Sequence, residues 1–213
     1  NKPTFTPIAD VTMEAGSALW VPLNGYDPNG DRLTYTASSA NSSLVGANIP
    51  TGNRSLKMDV KNWGAMTFEL FDNLVPRITN HIAELADSGF YNADTANGIA
   101  TNFDQAIRVP TAMIQTGEPA GSEGLGSDLG PVDDQFDLSL RHTSAGLLTL
   151  VKSNGDDTGD SRFAVMGEPD PSLDFDWPVF GRLVEGDAER AGINATTTDT
   201  TDVPTRTIQL NSV

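Results

Sequence analysis

The chain predicts a mainly β protein in two parts, on three observations. Short stretches alternate apolar and polar residues, as in RLTYTA (32–37) and SLKMDV (55–60), the period of a strand with one buried face. Turn formers punctuate them, with 20 Gly and 13 Pro in 213 residues. One longer stretch, residues 76–88, carries a clear helical period.

The first part, residues 1–58, reads as a small β unit. ALWVPL (18–23) is a short apolar run and 32–37 alternates. Between them DPNGD (27–31) is turn chemistry, because Pro presets φ and Asn-Gly accepts positive φ. This part resembles the immunoglobulin- or cadherin-like modules of bacterial surface proteins, which implies a small β-sandwich. From Gly64 the pattern changes. A strand is expected at 66–71, then the helix at 76–88. Pro76 suits the first helical position, Ile78, Ile82, Leu85 and Ala86 share one face, and Gly89 fits the left-handed stop. Further strands are expected at 112–116, 135–141, 146–151, 162–166 and 178–184. A short helix at 187–191 and a closing strand at 205–210 complete the second part, residues 59–213.

Composition excludes several functions. The net charge is −16, and a nucleic-acid or anionic-membrane partner needs a basic surface. There is no cysteine, so thiolate catalysis, disulfides and Cys-ligated metals are excluded. The longest apolar run, residues 145–151 with Thr149 inside it, is too short to span a bilayer. A start at Asn1, a Thr-rich stretch at 195–201 and the sequons at Asn41, Asn53 and Asn194 point to a processed, exported chain, expected to be extracellular, at the cell surface or periplasmic.

Six motifs stand in order: GAMTFELFDNLVPRITNHIAELADSGFY (64–91), MIQTGEP (113–119), DDQF (133–136), LRHTSAGLLTL (140–150), SRFAV (161–165) and VFGRLVEG (179–186). Their order and spacing resemble the cyclophilins, a family of peptidyl-prolyl cis/trans isomerases. The resemblance implies an eight-stranded closed barrel with flanking helices, and rotation about X-Pro bonds as the reaction. That rotation is slow because it breaks amide resonance. A catalyst needs a dry apolar slot for the proline ring, a cation donating near the prolyl nitrogen, and polar groups that hold the flanking backbone. It needs no nucleophile, and no cofactor is expected.

Carried onto this chain, the resemblance implies Arg108 as the catalytic cation, Gln115 as the group holding substrate backbone, and Met113 and Leu173 as slot lining. The family's cation lies in a Phe-His-Arg run ahead of a Phe-Met-x-Gln run. Here Ala106 and Ile107 precede Arg108, and Ala112 stands where the slot's first Phe belongs. Ala164 replaces the second Phe, and Arg162 replaces the Gln of a Ser-Gln-Phe-Phe run. Lys152 falls where an Asn binds substrate backbone, Ser172 where many members have Trp, and Trp177 where they have His. Ala112, Arg162, Ala164 and Trp177 are therefore expected at the substrate site in altered form. Trp177 is expected to refill part of the slot, and Phe103 to move toward it. A buried Phe contributes about 1.5–3 kcal/mol, and a tenfold change in affinity is about 1.4 kcal/mol, so two Phe→Ala changes weaken binding by orders of magnitude.

The function expected is a divergent isomerase domain of an exported multidomain protein, weak or inactive in catalysis, with a proline-containing peptide or protein segment as partner. The alternative is a non-catalytic structural, adhesive or surface-assembly module on the same scaffold. Calcium is the one candidate ion, with Asp27, Asn29 and Asp31 as hard oxygen ligands, against a plain solvated turn. The acidic loop at 154–160 reads as solvated, and His81 and His142 have no metal-site partner pattern.

Overall fold

The structure, a computed structural model, describes residues 52–93, 101–119, 127, 129–153 and 155–213, with 2–5, 7–13, 19, 21, 23, 25–26, 28–29, 33–47 and 49 of the first fifty. In chain order the strands are β1 (Thr4–Phe5), β2 (Gly25–Tyr26), β3 (Ser55–Val60), β4 (Gly64–Leu70), β5 (Gln105–Ile107), β6 (Met113–Thr116), β7 (Leu147–Leu150), β8 (Phe163–Met166), β9 (Val179–Glu185) and β10 (Leu210–Ser212). Helix α1 (Pro76–Asp87) follows β4 and α2 (Asp187–Asn194) follows β9. A 3-10 turn, Pro171–Leu173, lies between β8 and β9.

β3 to β10 form one antiparallel sheet in the order β10-β3-β4-β9-β7-β8-β6-β5. Alternation sets its register: Leu56, Met58 and Val60 of β3 point inward, with Leu56 opposite Phe68 and Met58 opposite Met66. β3 spans the position between 58 and 59, and all six of its residues pair with β4. The sheet curls around a core that includes Phe68, Leu148, Leu150, Phe163, Val165 and Phe180, all sealed from solvent. Phe163 is at its centre, with edge contacts to Tyr91 at 5.7 Å and Phe180 at 6.2 Å between centroids. Helix α1 buries Ile78, Ile82 and Leu85, as its period requires, while Ala86 stays only partly buried.

Four expectations are corrected. The sheet is curled but open: β10 and β5 share no ladder. The segments beside them meet at the Asn102–Gln209 bridge and through bonds from Phe103 N to Ile208 O (2.9 Å) and Leu210 N to Thr101 O (2.8 Å). Three-residue edge strands are too short to close it. The described residues of the first fifty form no sandwich. They give only the β1–β2 pair, residues 33–37 are not a strand, and most are exposed. Residues 135–141 form no strand, and Leu138 and Ser139 make a turn within them. Asp137 Oδ1 accepts from Ser139 N (2.8 Å) and from its hydroxyl (2.5 Å), and a side chain that bonds its own backbone competes with the ladder. Leu138 is left 79% exposed. The closing strand starts at Leu210, five residues late, because Thr205 N is used by Thr197 O at 2.9 Å. β5 has too few residues to show a period and was not expected.

Truncating Phe163 to Ala should cost about 3–5 kcal/mol. A urea melt reads this as a lower midpoint at unchanged slope.

Candidate functional site

Strand β6 lies between β5 and β8. Gln115 faces Gln105 on one side and Ala164 on the other, and Met113 faces Ile107 and Met166. Directly paired residues share a sheet face, so these six line one face, while Ile114, Ala106 and Val165 point into the sealed core. Arg162 precedes Ala164 by two residues and shares its face. Its Nη2 donates to Gln115 Oε1 at 3.1 Å and to Asp104 Oδ2 at 3.1 Å, and its Nε lies 4.0 Å from Glu118 Oε2. Gln115 Nε2 meets Met113 Sδ at 3.5 Å.

This close approach of β8 to β6 requires a glycine. Gly117 has φ +119°, and a Cβ there would stand 2.3 Å from Ser161 O and 2.7 Å from Arg162 Cα. Tyr91, wholly buried, donates from its hydroxyl to Ser161 O at 3.0 Å. The chain beside Arg162 is thus held from both sides.

The expected site residues divide. Met113, Gln115, Ala164 and Arg162 come together. Arg108 does not join them. It lies one residue past the Ile107–Met113 pair, and its guanidinium donates to Thr196 O and to Thr198 Oγ1 (3.2 Å), in the loop after α2. The register puts Gln105, not an arginine, opposite Gln115. Ala112 is half-buried, its N–H on Glu168 Oε1 at 2.8 Å. Leu173 and Trp177 are half-buried against the core, joined by Trp177 N to Leu173 O at 3.0 Å. Phe103 is in the core at 2% exposure and does not reach the face. Met113, Gln115 and Ala164 are 6%, 5% and 0% exposed, so the floor of the expected slot is covered. Of the calcium candidates, Asp27 and Asp31 lie outside the described residues, and Asn29 is an exposed turn residue. In the acidic loop Asp156 is bound to Lys152, and Asp157 accepts from Asp134 N at 2.7 Å.

Lys152 is committed to carboxylates. Its ammonium, 3% exposed, bonds Asp134 (2.8 Å) and Asp156 (3.1 Å) and lies 3.4 Å from Asp176. Burial alone would lower its pKa, but the bonds to Asp134 and Asp156 and the charge of Asp134 carry it above its ordinary value. Asp104 and Glu118 were not singled out in the sequence, because their place beside Arg162 follows from strand order rather than spacing.

The family model for cyclophilin type peptidyl-prolyl cis-trans isomerases matches residues 55–213. The chain belongs to the cyclophilin family. Among curated relatives of this cyclophilin, a peptidyl-prolyl cis-trans isomerase-like 1 of Aspergillus oryzae is 34% identical over 125 residues, 58% of this chain and 71% of that protein. The Neurospora crassa protein of the same name is 30% identical over 149 residues, 69% of this chain and 85% of its own. A solved cyclophilin type isomerase of Cryptosporidium parvum superposes with a TM-score of 0.64 at 22% identity, covering 76% of this chain and 96% of that one. It shares the fold.

The His142 ring is among the buried polar groups of this cyclophilin. His142 is 1% exposed; its ring contacts Asp174 Oδ1 through Nδ1 at 3.1 Å and Thr149 Oγ1 through Nε2 at 3.2 Å. Burial lowers its pKa, against the opposing pull of Asp174 and Asp170. The unfolded ring titrates near 6.5, so below about pH 6.5 the unfolded chain takes up a proton that the native ring resists, and stability falls. Asp104, raised chiefly by burial, acts with the opposite sign. Melting temperature should therefore drop between about pH 6.5 and pH 5 in wild type, and drop less in His142→Gln. Gly117→Ala should cost more than about 2 kcal/mol, combining a strained φ with a backbone clash, as read by chemical denaturation.

Proposed function

We propose that residues 59–213 are a divergent, weakly active peptidyl-prolyl isomerase domain of an exported multidomain protein, acting on X-Pro bonds in a peptide or protein segment. The observation that carries the reading is the Met113–Gln115 pair, kept on one face with a guanidinium on Gln115 Oε1. An apolar wall, a backbone-holding amide and a cation are the three parts that twisting an amide needs. A related Cryptosporidium parvum isomerase was solved in the presence of the dipeptide Ala-Pro, which supports X-Pro as the ligand class. Weak turnover follows from Ala112 and Ala164, which give up most of the ring-burying area. The acidic balance of −16 suits an exported, well-solvated surface.

The second reading, a structural or assembly module, is favoured by the covered floor, with Ala164 at 0% exposure. A protease-coupled assay on an Ala-Pro peptide separates the two. The isomerase reading expects measurable acceleration, and Ala112→Phe should raise kcat/KM about tenfold by restoring one ring's burial. A rate that stays at the uncatalysed level at high protein concentration, in both proteins, would leave only the structural module.

A further inference from the structure

We propose that the cation this site presents to a prolyl amide is Arg162, on the β8 side of Gln115, rather than an arginine from the β5 side. The proposal rests on the isomerase reading above and names its electrophile.

Four observations carry it. Among the described residues the β5 side offers no uncommitted cation: Gln105 stands opposite Gln115, and the Arg108 guanidinium is engaged by Thr196 and Thr198. Arg162 alternates with Ala164 on the face that holds Met113 and Gln115, and its Nη2 touches Gln115 Oε1 at 3.1 Å. Its position is built rather than adventitious. Tyr91 holds Ser161 O, and Gly117 lets the Ser161–Arg162 backbone press against the end of β6. Finally, its donors are not all used. Arg162 Nε and Asp104 Oδ1 are buried and have no hydrogen-bond partner among the described residues, while the Arg162 side chain is 30% exposed and reachable from solvent. A buried polar atom without a partner calls for an explanation, and a catalytic role is one of them.

The chemistry needs no bond made or broken between protein and substrate. Rotation about the C–N bond removes amide resonance, the prolyl nitrogen becomes pyramidal, and its lone pair can accept a hydrogen bond. A guanidinium N–H donating there stabilises the twisted state and not the planar one, and it keeps its proton throughout. Asp104 and Glu118 compete with substrate for the guanidinium, which fits slow turnover.

The test is two-dimensional exchange NMR on an Ala-Pro peptide with wild type, Arg162→Gln, Arg162→Lys and Arg108→Gln. Arg77→Gln, whose side chain pairs with the exposed Asp133, is the surface control. Arg162→Gln should lose on the order of 100-fold in the exchange rate, while peptide affinity from shift titration is retained. Arg162→Lys should recover part of the rate, since an ammonium donates without the planar fork. Arg108→Gln should lose less than Arg162→Gln. An Arg162→Gln protein that keeps the wild-type rate, or a loss confined to Arg108→Gln, overturns the proposal and leaves the isomerase reading standing. A wild type with no acceleration overturns both. Should Arg162→Gln fail to fold, Asp104→Asn decides: freeing the guanidinium from its carboxylate should raise the rate, and an unchanged or lower rate counts against Arg162.

Discussion

The hydrogen bond from the buried Tyr91 hydroxyl to Ser161 O, 3.0 Å long, is the constraint on which the site depends. A buried hydroxyl and a buried carbonyl must find partners, and each would cost about 1–3 kcal/mol if left alone. Here they satisfy each other across 70 residues of sequence. The bond ties the chain just after α1 to the start of β8. The ring beneath it continues into Phe163 and then Phe180, so the same side chain that anchors the site also packs the core. With Gly117 clearing the other side, Arg162 has little freedom in where its backbone lies.

Around this anchor the loops are tied by charge. Lys152 collects Asp134, Asp156 and Asp176 from three separate loops on one buried ammonium. An ion pair in water contributes little, but a buried ammonium must be paired because its desolvation is costly. Three of the many carboxylates of an acidic chain are used this way. His142 does the corresponding work for the turn at 170–177. It joins Asp174 to Thr149 of β7, and thereby fixes Leu173 and Trp177 against the core. Specific internal pairs of this kind allow a surface of net charge −16 to coexist with a compact sheet.

Much of the cyclophilin sheet was legible in the sequence. Strands with one buried face, such as β3, alternate visibly, and α1 showed its apolar face and its Pro and Gly ends. Residues 135–141 alternate just as well, but Asp137 bonds its own backbone and makes a turn. β5 was illegible because Gln105–Ile107 is too short to show a period. That omission mattered, because the register of β5 against β6 decides which side chain faces Gln115. Counting back from Gln115 led to Arg108, and pairing leads to Gln105.

The sequence by itself determined the family, the inward faces of β3 and α1, and the expectation that Ala112 and Ala164 stand where the resemblance puts two rings, because local period and residue type survive without coordinates. Only the tertiary structure decided where the charge stands. Cross-strand neighbours are set by sheet order, and β6 lies between a strand that begins 8 residues before its start and one that begins 47 residues after its end, Gln105–Ile107 and Phe163–Met166. Spacing within one segment carries no information about a partner on the next strand, and the guanidinium on Gln115 comes from such a partner.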